Sequence, residues 1–122
     1  MFGIFENTTE IAEAKIFFGS ITETKEKMQS RKSPFDGAIV SIAPVCDTDD
    51  TLRALKIAKN AAKAAAKSPL SQRILWLEDV AKKLNDEKEA FAIMLAKEVA
   101  KPIAFARVEV ERCVETVRLT AM

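Results

Sequence analysis

Beyond residue 47 the apolar positions fall three and four apart, the spacing that stacks side chains along one side of a helix. Leu52, Leu55, Ala58, Ala62 and Ala65 mark the first such run. Thr48 supplies a capping oxygen at its start, and Asp49 and Asp50 place carboxylates where the helix dipole favours negative charge. So many small residues predict that this face packs closely on another element. Lys56, Lys59, Lys63 and Lys67 form a neighbouring stripe. Such a stripe can hold phosphate, but its ordinary reading is a solvated surface.

Ser68-Pro69 interrupts the pattern, with Ser as the N-cap of a second helix and Pro at its first position, where the missing N–H costs nothing. Leu70, Ile74, Leu77, Ala81 and Leu84 mark its inner face, and Asn85-Asp86 marks its end. A third helix, from about Asp86 to Val99, is expected to bury Phe91, Met94, Leu95 and Val99. Lys101-Pro102 breaks it, because the residue before proline is pushed out of the α region, and Pro102 then opens a fourth helix. Ile103, Ala106, Val110, either Cys113 or Val114, Val117 and Ala121 line one side of that helix.

The first part of the chain has a different texture. Ala14 to Phe18 reads as a short strand, Gly19-Ser20 as a turn before the charged Thr22–Lys27 stretch, and Lys27 to Lys32 as a weaker strand. Ser33-Pro34-Phe35-Asp36-Gly37 is a turn, since Pro presets φ and Gly tolerates positive φ. Ala38 to Val45, rich in β-branched residues, is a further strand. The predicted class is α+β and mainly helical, with short N-terminal strands followed by four helices. Residues 1–46 form the β region and 47–122 the four-helix segment, with no Gly/Ser linker or repeat between them.

Composition narrows the function. At 122 residues with 48% hydrophobic and 30% charged residues, the chain suits one modest core. Nineteen basic against 18 acidic residues give a net charge of +1, which leaves no general field for a nucleic acid or an anionic membrane. No apolar run is long enough to span a bilayer. Met1–Asn7 lacks the basic start and apolar stretch of a secretion signal, and Cys46 and Cys113 have no ligand-like spacing; together these suit a reducing cytoplasm.

Absences exclude much of the remaining chemistry. The chain has no histidine, so neither a histidine metal site nor a Ser-His or Cys-His pair can be built from it. Its three glycines, Gly3, Gly19 and Gly37, are scattered, and neither the dinucleotide nor the nucleoside-triphosphate glycine motif occurs. Cys113 beside Arg112 and Arg118 invites a reactive-thiol reading, but its spacing to apolar neighbours makes it a small hydrophobe in a packed face. Cys46 likewise reads as structural and Trp76 as packing. Glu109, Glu111, Arg112, Glu115 and Arg118 read as a solvated, ion-paired face.

The order of motifs nevertheless resembles a known family. Ser33-Pro34-Phe35-Asp36-Gly37 before a strand is similar to the NP-x-(T/D)-G segment of NAD(P)-dependent aldehyde dehydrogenases. The helix from Thr48-Asp49-Asp50 to Lys67 follows as it does there. Ser68-Pro69-Leu70-Ser71-Gln72-Arg73-Ile74-Leu75 is similar to the family's LP-x-x-x-R-x-x-(I/L)-L, Glu98-Val99-Ala100-Lys101-Pro102 to its E-x-G-K-P, and Arg107-Val108-Glu109-Val110 to the EV that follows. The resemblance runs from about Ile16 to Met122, with lactaldehyde-type bacterial members nearest. Ser33 replaces Asn, and Ala100 replaces the Gly that closes the third helix, so Ala100 either takes an uncomfortable turn or leaves the helix without a left-handed cap.

The resemblance implies an incomplete part of the aldehyde dehydrogenase α/β fold, with 1–46 and 47–122 both belonging to one unfinished N-terminal nucleotide-binding domain. The family's cysteine nucleophile, activating glutamate, oxyanion-stabilising asparagine and glycine motif all come later than Met122. The implied function is that of an N-terminal fragment of an enzyme that oxidises aldehydes to carboxylic acids with NAD or NADP. The chain alone is expected to bind no cofactor, hold no metal and carry no catalytic residue. Glu109 and Cys113 are the candidate substrate-tunnel lining. The apolar run to Val117-Arg118-Leu119-Thr120-Ala121-Met122, without a Gly or Asn cap, is expected to leave Val110, Val114 and Val117 exposed. Partners are then the missing catalytic part or a second copy meeting that face. The alternative is a stand-alone helical module for protein–protein interaction.

Overall fold

Gly19 and Ser20 make a two-residue turn in which Gly19 takes φ 65°, a positive value that the favoured two-residue hairpin turns require at the first central position. In the computed structural model, which describes residues 11–122, this turn joins β2 (Ile16–Phe18) to β3 (Ile21–Glu23) as an antiparallel pair. Met1–Asn7 and the start of the expected 1–46 region lie outside the described residues. Three further strands form a second sheet in the order β1-β5-β4. β1 (Ala12–Glu13) runs parallel to β5 (Ile39–Pro44), with Ala12 opposite Ser41. β4 (Met28–Lys32) runs antiparallel to β5 and shifts register between Arg31 and Lys32.

The turn between β4 and β5 is held by its own side chains. The Phe35 N–H donates to Ser33 Oγ at 3.2 Å and the Ala38 N–H to Asp36 Oδ1 at 3.1 Å, while Gly37 sits at φ 74°. The Ala38 N–H, followed by the Ser33 hydroxyl, holds the Asp36 carboxyl below its ordinary range. β3 lies inside the stretch that reads as charged connection. Cross-strand pairing of Ile16 with Glu23 and Phe18 with Ile21 recruits it, which no local pattern announces.

Four helices follow: α1 (Thr48–Lys67), α2 (Leu70–Asp86), α3 (Lys88–Val99) and α4 (Ile103–Thr120). Asp47, not Thr48, caps α1. Its carboxylate accepts the Asp50 N–H at 2.9 Å while Asp50 accepts the Asp47 N–H at 2.9 Å, a reciprocal capping box. Ser68 terminates α1 instead of opening α2; its hydroxyl donates to the Ala64 carbonyl at 3.3 Å and Pro69 is the N-cap of α2. Ala100 takes the left-handed conformation at φ 54°, so the turn after α3 is made without the glycine that would adopt it at no steric cost.

The core lies where α4 crosses α2 and α3. Ala92 of α3 and Ala106 of α4 are both 0% exposed and meet Val110, with Phe91, Leu95 and Ala96 packed around them. Alanine on both helices lets the two backbones approach, so this joint is fixed by small side chains. Ala81, Val114 and Ala121 are also buried.

Three expectations are corrected here. The face of α4 bearing Val110, Val114 and Val117 is not exposed: Val110 and Val114 are buried and Val117 half-buried, because α2 and α3 fold back over it. Of the two alternatives at 113 and 114, Val114 faces inward; it continues the four-residue steps of Ala106 and Val110, whereas Cys113 lies about 100° round the helix and is exposed, as is Cys46. Finally, Leu52, Leu55, Ala58, Ala62 and Ala65 of α1 are all exposed, so nothing in the described residues packs on the face that the small side chains prepared.

Candidate functional site

Glu109 and Cys113 stand one turn apart on α4, which brings both to the same side of the helix. They line a shallow concavity of about 530 Å³ together with Lys101, Phe105, Val108, Arg112 and Thr116. The Lys101 ammonium forms an ion pair with the Glu109 carboxylate, anchoring the loop before α4 to the helix two turns on. Phe105 and Val108 are exposed apolar side chains here, set among the charged Lys101, Glu109 and Arg112. The structure thus brings together the two residues singled out by sequence. It adds Phe105, whose four-residue spacing to Glu109 along α4 was the available signal, and Lys101, which the loop before the helix brings in.

The other side of α4 is tied differently. Arg107 grips Glu89 of α3 through Nε at 3.0 Å and Nη2 at 2.6 Å. This bidentate pairing lowers the Glu89 carboxyl and raises the Arg107 guanidinium relative to their ordinary values.

A second charged cluster locks the hairpin onto α1. Arg53 reaches Glu23 with two hydrogen bonds of 2.8 Å and lies over the Phe18 ring at 4.3 Å. Lys25 bonds Asp47 at 2.9 Å and also pairs with Asp50. The Asp50 N–H, followed by the Lys25 ammonium, pulls the Asp47 carboxyl down to about 2. Sequence reading missed this cluster because Glu23 lies on β3, which has no local signature, and Lys25 just beyond it. The sheet and the helices are linked by Ser41, whose hydroxyl donates to Glu98 of α3 at 2.8 Å, with Arg31 at 3.8 Å from the same oxygen.

Gly19 and Gly37 sit in strand turns, not before a helix, and the helices open at Asp47, Pro69, Glu87 and Pro102. The capping box occupies the Asp47 and Asp50 N–H groups at the head of α1. Among the described residues no three His, Cys, Asp or Glu side chains are placed to hold a metal ion. No helix of the described residues is long and apolar enough to cross a membrane.

Known proteins resemble this chain in sequence and in fold. The model of the aldehyde dehydrogenase family matches residues 21–122. The chain belongs to that family. It is 36% identical over 90 residues to aspartate-semialdehyde dehydrogenase 1 of Pseudomonas canavaninivorans, a match covering 73% of this chain and 19% of the relative. It is 30% identical over 89 residues to lactaldehyde dehydrogenase of Methanocaldococcus jannaschii, again 73% of this chain and 19% of the relative. A solved 3,6-anhydro-L-galactose dehydrogenase in complex with NAP superposes with a TM-score of 0.83 at 25% identity over 89% of this aldehyde dehydrogenase chain and 23% of the other. The NAD-dependent aldehyde dehydrogenase of Sinorhizobium meliloti shares the fold, with a TM-score of 0.86 over 94% of this chain and 25% of that one. The chain therefore spans about a fifth of the length of the curated relatives it matches. Its strands and four helices are a portion of the aldehyde dehydrogenase fold.

Proposed function

We propose that this chain is the N-terminal part of an NAD(P)-dependent aldehyde dehydrogenase, an oxidoreductase that in complete form converts an aldehyde to a carboxylic acid. Residues 1–46 supply the β region and 47–122 the four-helix segment of one unfinished nucleotide-binding domain. The observation that carries this reading is the family match over residues 21–122, joined to superposition of 89% of the chain on a solved dehydrogenase of which it covers 23%. The chain's own contribution is scaffolding. It presents the concavity with Glu109 and Cys113 as one flank of the substrate tunnel, and it supplies neither nucleophile nor cofactor site. Polypeptide carrying the catalytic cysteine is its partner, and its two exposed thiols suit the reducing cytoplasm.

Two measurements test this. The purified chain, given an aldehyde with NAD and then with NADP, is expected to form no reduced nicotinamide; turnover that disappears in Cys113→Ser would overturn the assignment. The DNA downstream of codon 122 is expected to hold a frame encoding a Gly-rich nucleotide motif and a later catalytic Cys. An unrelated neighbour there favours the stand-alone interaction module.

A further inference from the structure

The β2–β3 hairpin lies along α1 in step with the helix. Residues directly opposite across the hairpin share a side, and alternation then groups Ile16, Phe18, Ile21 and Glu23 on one side and Phe17 and Thr22 on the other. On α1, Asp50, Arg53 and Ile57 follow at three and four residues and so share one side of the helix. The two sides meet in order. Lys25, just past β3, pairs with Asp50; Glu23 accepts from both Nη atoms of Arg53 at 2.8 Å; and an Ile57 methyl lies 3.8 Å from where a Cβ on Gly19 would stand. The face of α1 that meets the hairpin is thus charged at two of its three positions.

Charge, more than apolar area, holds this contact. Phe18 is the one buried apolar side chain of β2, β3 and α1, and the Arg53 guanidinium covers its ring. Asp50, 9% exposed, is the one buried charged residue among the described residues. Lys25 pairs with both carboxylates of the capping box that starts α1, Asp50 and Asp47. Removing that ammonium would leave a buried carboxylate uncompensated beside a second one, which is strongly unfavourable. Docking of the hairpin and capping of α1 are therefore coupled. The other three helices are held differently: α4 packs on α2 and α3 through Ala92, Ala106 and Val110, whereas α1 takes its main packing from β2.

We propose that Glu23, Lys25, Asp50 and Arg53 form an electrostatic latch, through which the β2–β3 hairpin and the head of α1 dock and release together while α2, α3 and α4 stay packed. Ionic strength is the signal that opens it, because the Arg53–Glu23 side chains, 43% and 36% exposed, stand open to screening.

Hydrogen exchange followed by mass spectrometry on the intact chain reads each segment separately. Raising NaCl to about 1 M shortens the screening length to about 3 Å, and exchange in residues 16–23 and 48–57 is expected to quicken about three- to fivefold, with less than about a twofold change in 70–120. Lys25→Met is expected to quicken the same two segments about tenfold or more. Adding Asp50→Asn to Lys25→Met removes the stranded charge but keeps an acceptor for the Asp47 N–H, so most of the lost protection is expected to return. Salt-insensitive exchange of the hairpin in the wild-type chain overturns the latch. Equal acceleration of 70–120 overturns release as a separate unit. Failure of Asp50→Asn to rescue Lys25→Met overturns the role given to the buried carboxylate. Should Lys25→Met unfold the whole chain by circular dichroism, release as a separate unit is likewise overturned.

Discussion

Three valines on α4 make a controlled series, because the residue type and helix are constant and only burial changes. Val108 is 52% exposed, Val110 8% and Val114 3%. Replacing a valine by alanine removes two carbons, worth about 1.6 kcal/mol when fully buried, with about another 0.5–1 kcal/mol where the neighbours cannot close the gap. Against this, alanine is the better helix former by about 0.6 kcal/mol. The balance is a loss of about 1.5–2 kcal/mol for Val114→Ala, slightly less for Val110→Ala, and close to zero for Val108→Ala, where half the transfer term is cancelled by helix propensity. For a chain of this length a loss of that size lowers the melting temperature by about 5–12 °C. Urea denaturation followed by far-ultraviolet circular dichroism reads the same quantity as a shifted midpoint at constant slope. If Val108→Ala and Val114→Ala cost the same, the packing of α4 against α2 and α3 described above is wrong.

Three shorter predictions complete the set. Asp47 has its folded carboxyl held at about 2 by the Asp50 N–H and Lys25, below its unfolded value, so its contribution is fully present above the ordinary aspartate range and is lost as pH falls toward 2; acid titration of Asp47→Asn is therefore expected to be flatter than wild type in that window, and parallel curves refute it. Ala100→Gly relieves an alanine at φ 54° and is expected to raise stability by about 0.5–1 kcal/mol after allowing for the freer unfolded chain, read as a higher urea midpoint. Cys46 and Cys113 are both exposed, so a thiol reagent is expected to titrate both in the native chain without a lag, and slow labelling of Cys113 limited by unfolding refutes its placement.

The helical half was legible because its periodicity is local. Ala106, Val110 and Val114 repeat at the helical spacing whether or not their neighbours are known, and Pro102 and Pro69 mark boundaries by their own chemistry. What could not be read was which apolar face meets which. Val110 and Val114 read as waiting for absent polypeptide because they extend to the end of the chain, whereas helices earlier in sequence had already covered them. The alanine face of α1 read as buried for the same reason in reverse: composition records what a face was shaped for, not whether the chain contains its cover. β3 escaped notice since a three-residue strand containing Thr and Glu is defined by its partner across Gly19-Ser20. At the candidate site, Glu109 and Cys113 came from the family resemblance, and their common side of α4 follows from helical spacing, while the Lys101 pairing depends on how the left-handed Ala100 aims the loop.

The Ser41–Glu98 bond gives that turn a mechanical meaning. Glu98 stands two residues before Ala100, the pivot from which α4 departs, so this bond brackets the central strand of the sheet to the end of α3 just before the pivot. α4 is a lever about 27 Å long, and Cys113 lies roughly 15 Å along it. A tilt of about ten degrees at the bracket would sweep the thiol through about 2.5 Å by the same helical geometry. The concavity beside Glu109, lined by α4 and Lys101, would travel with the helix as one piece relative to the sheet.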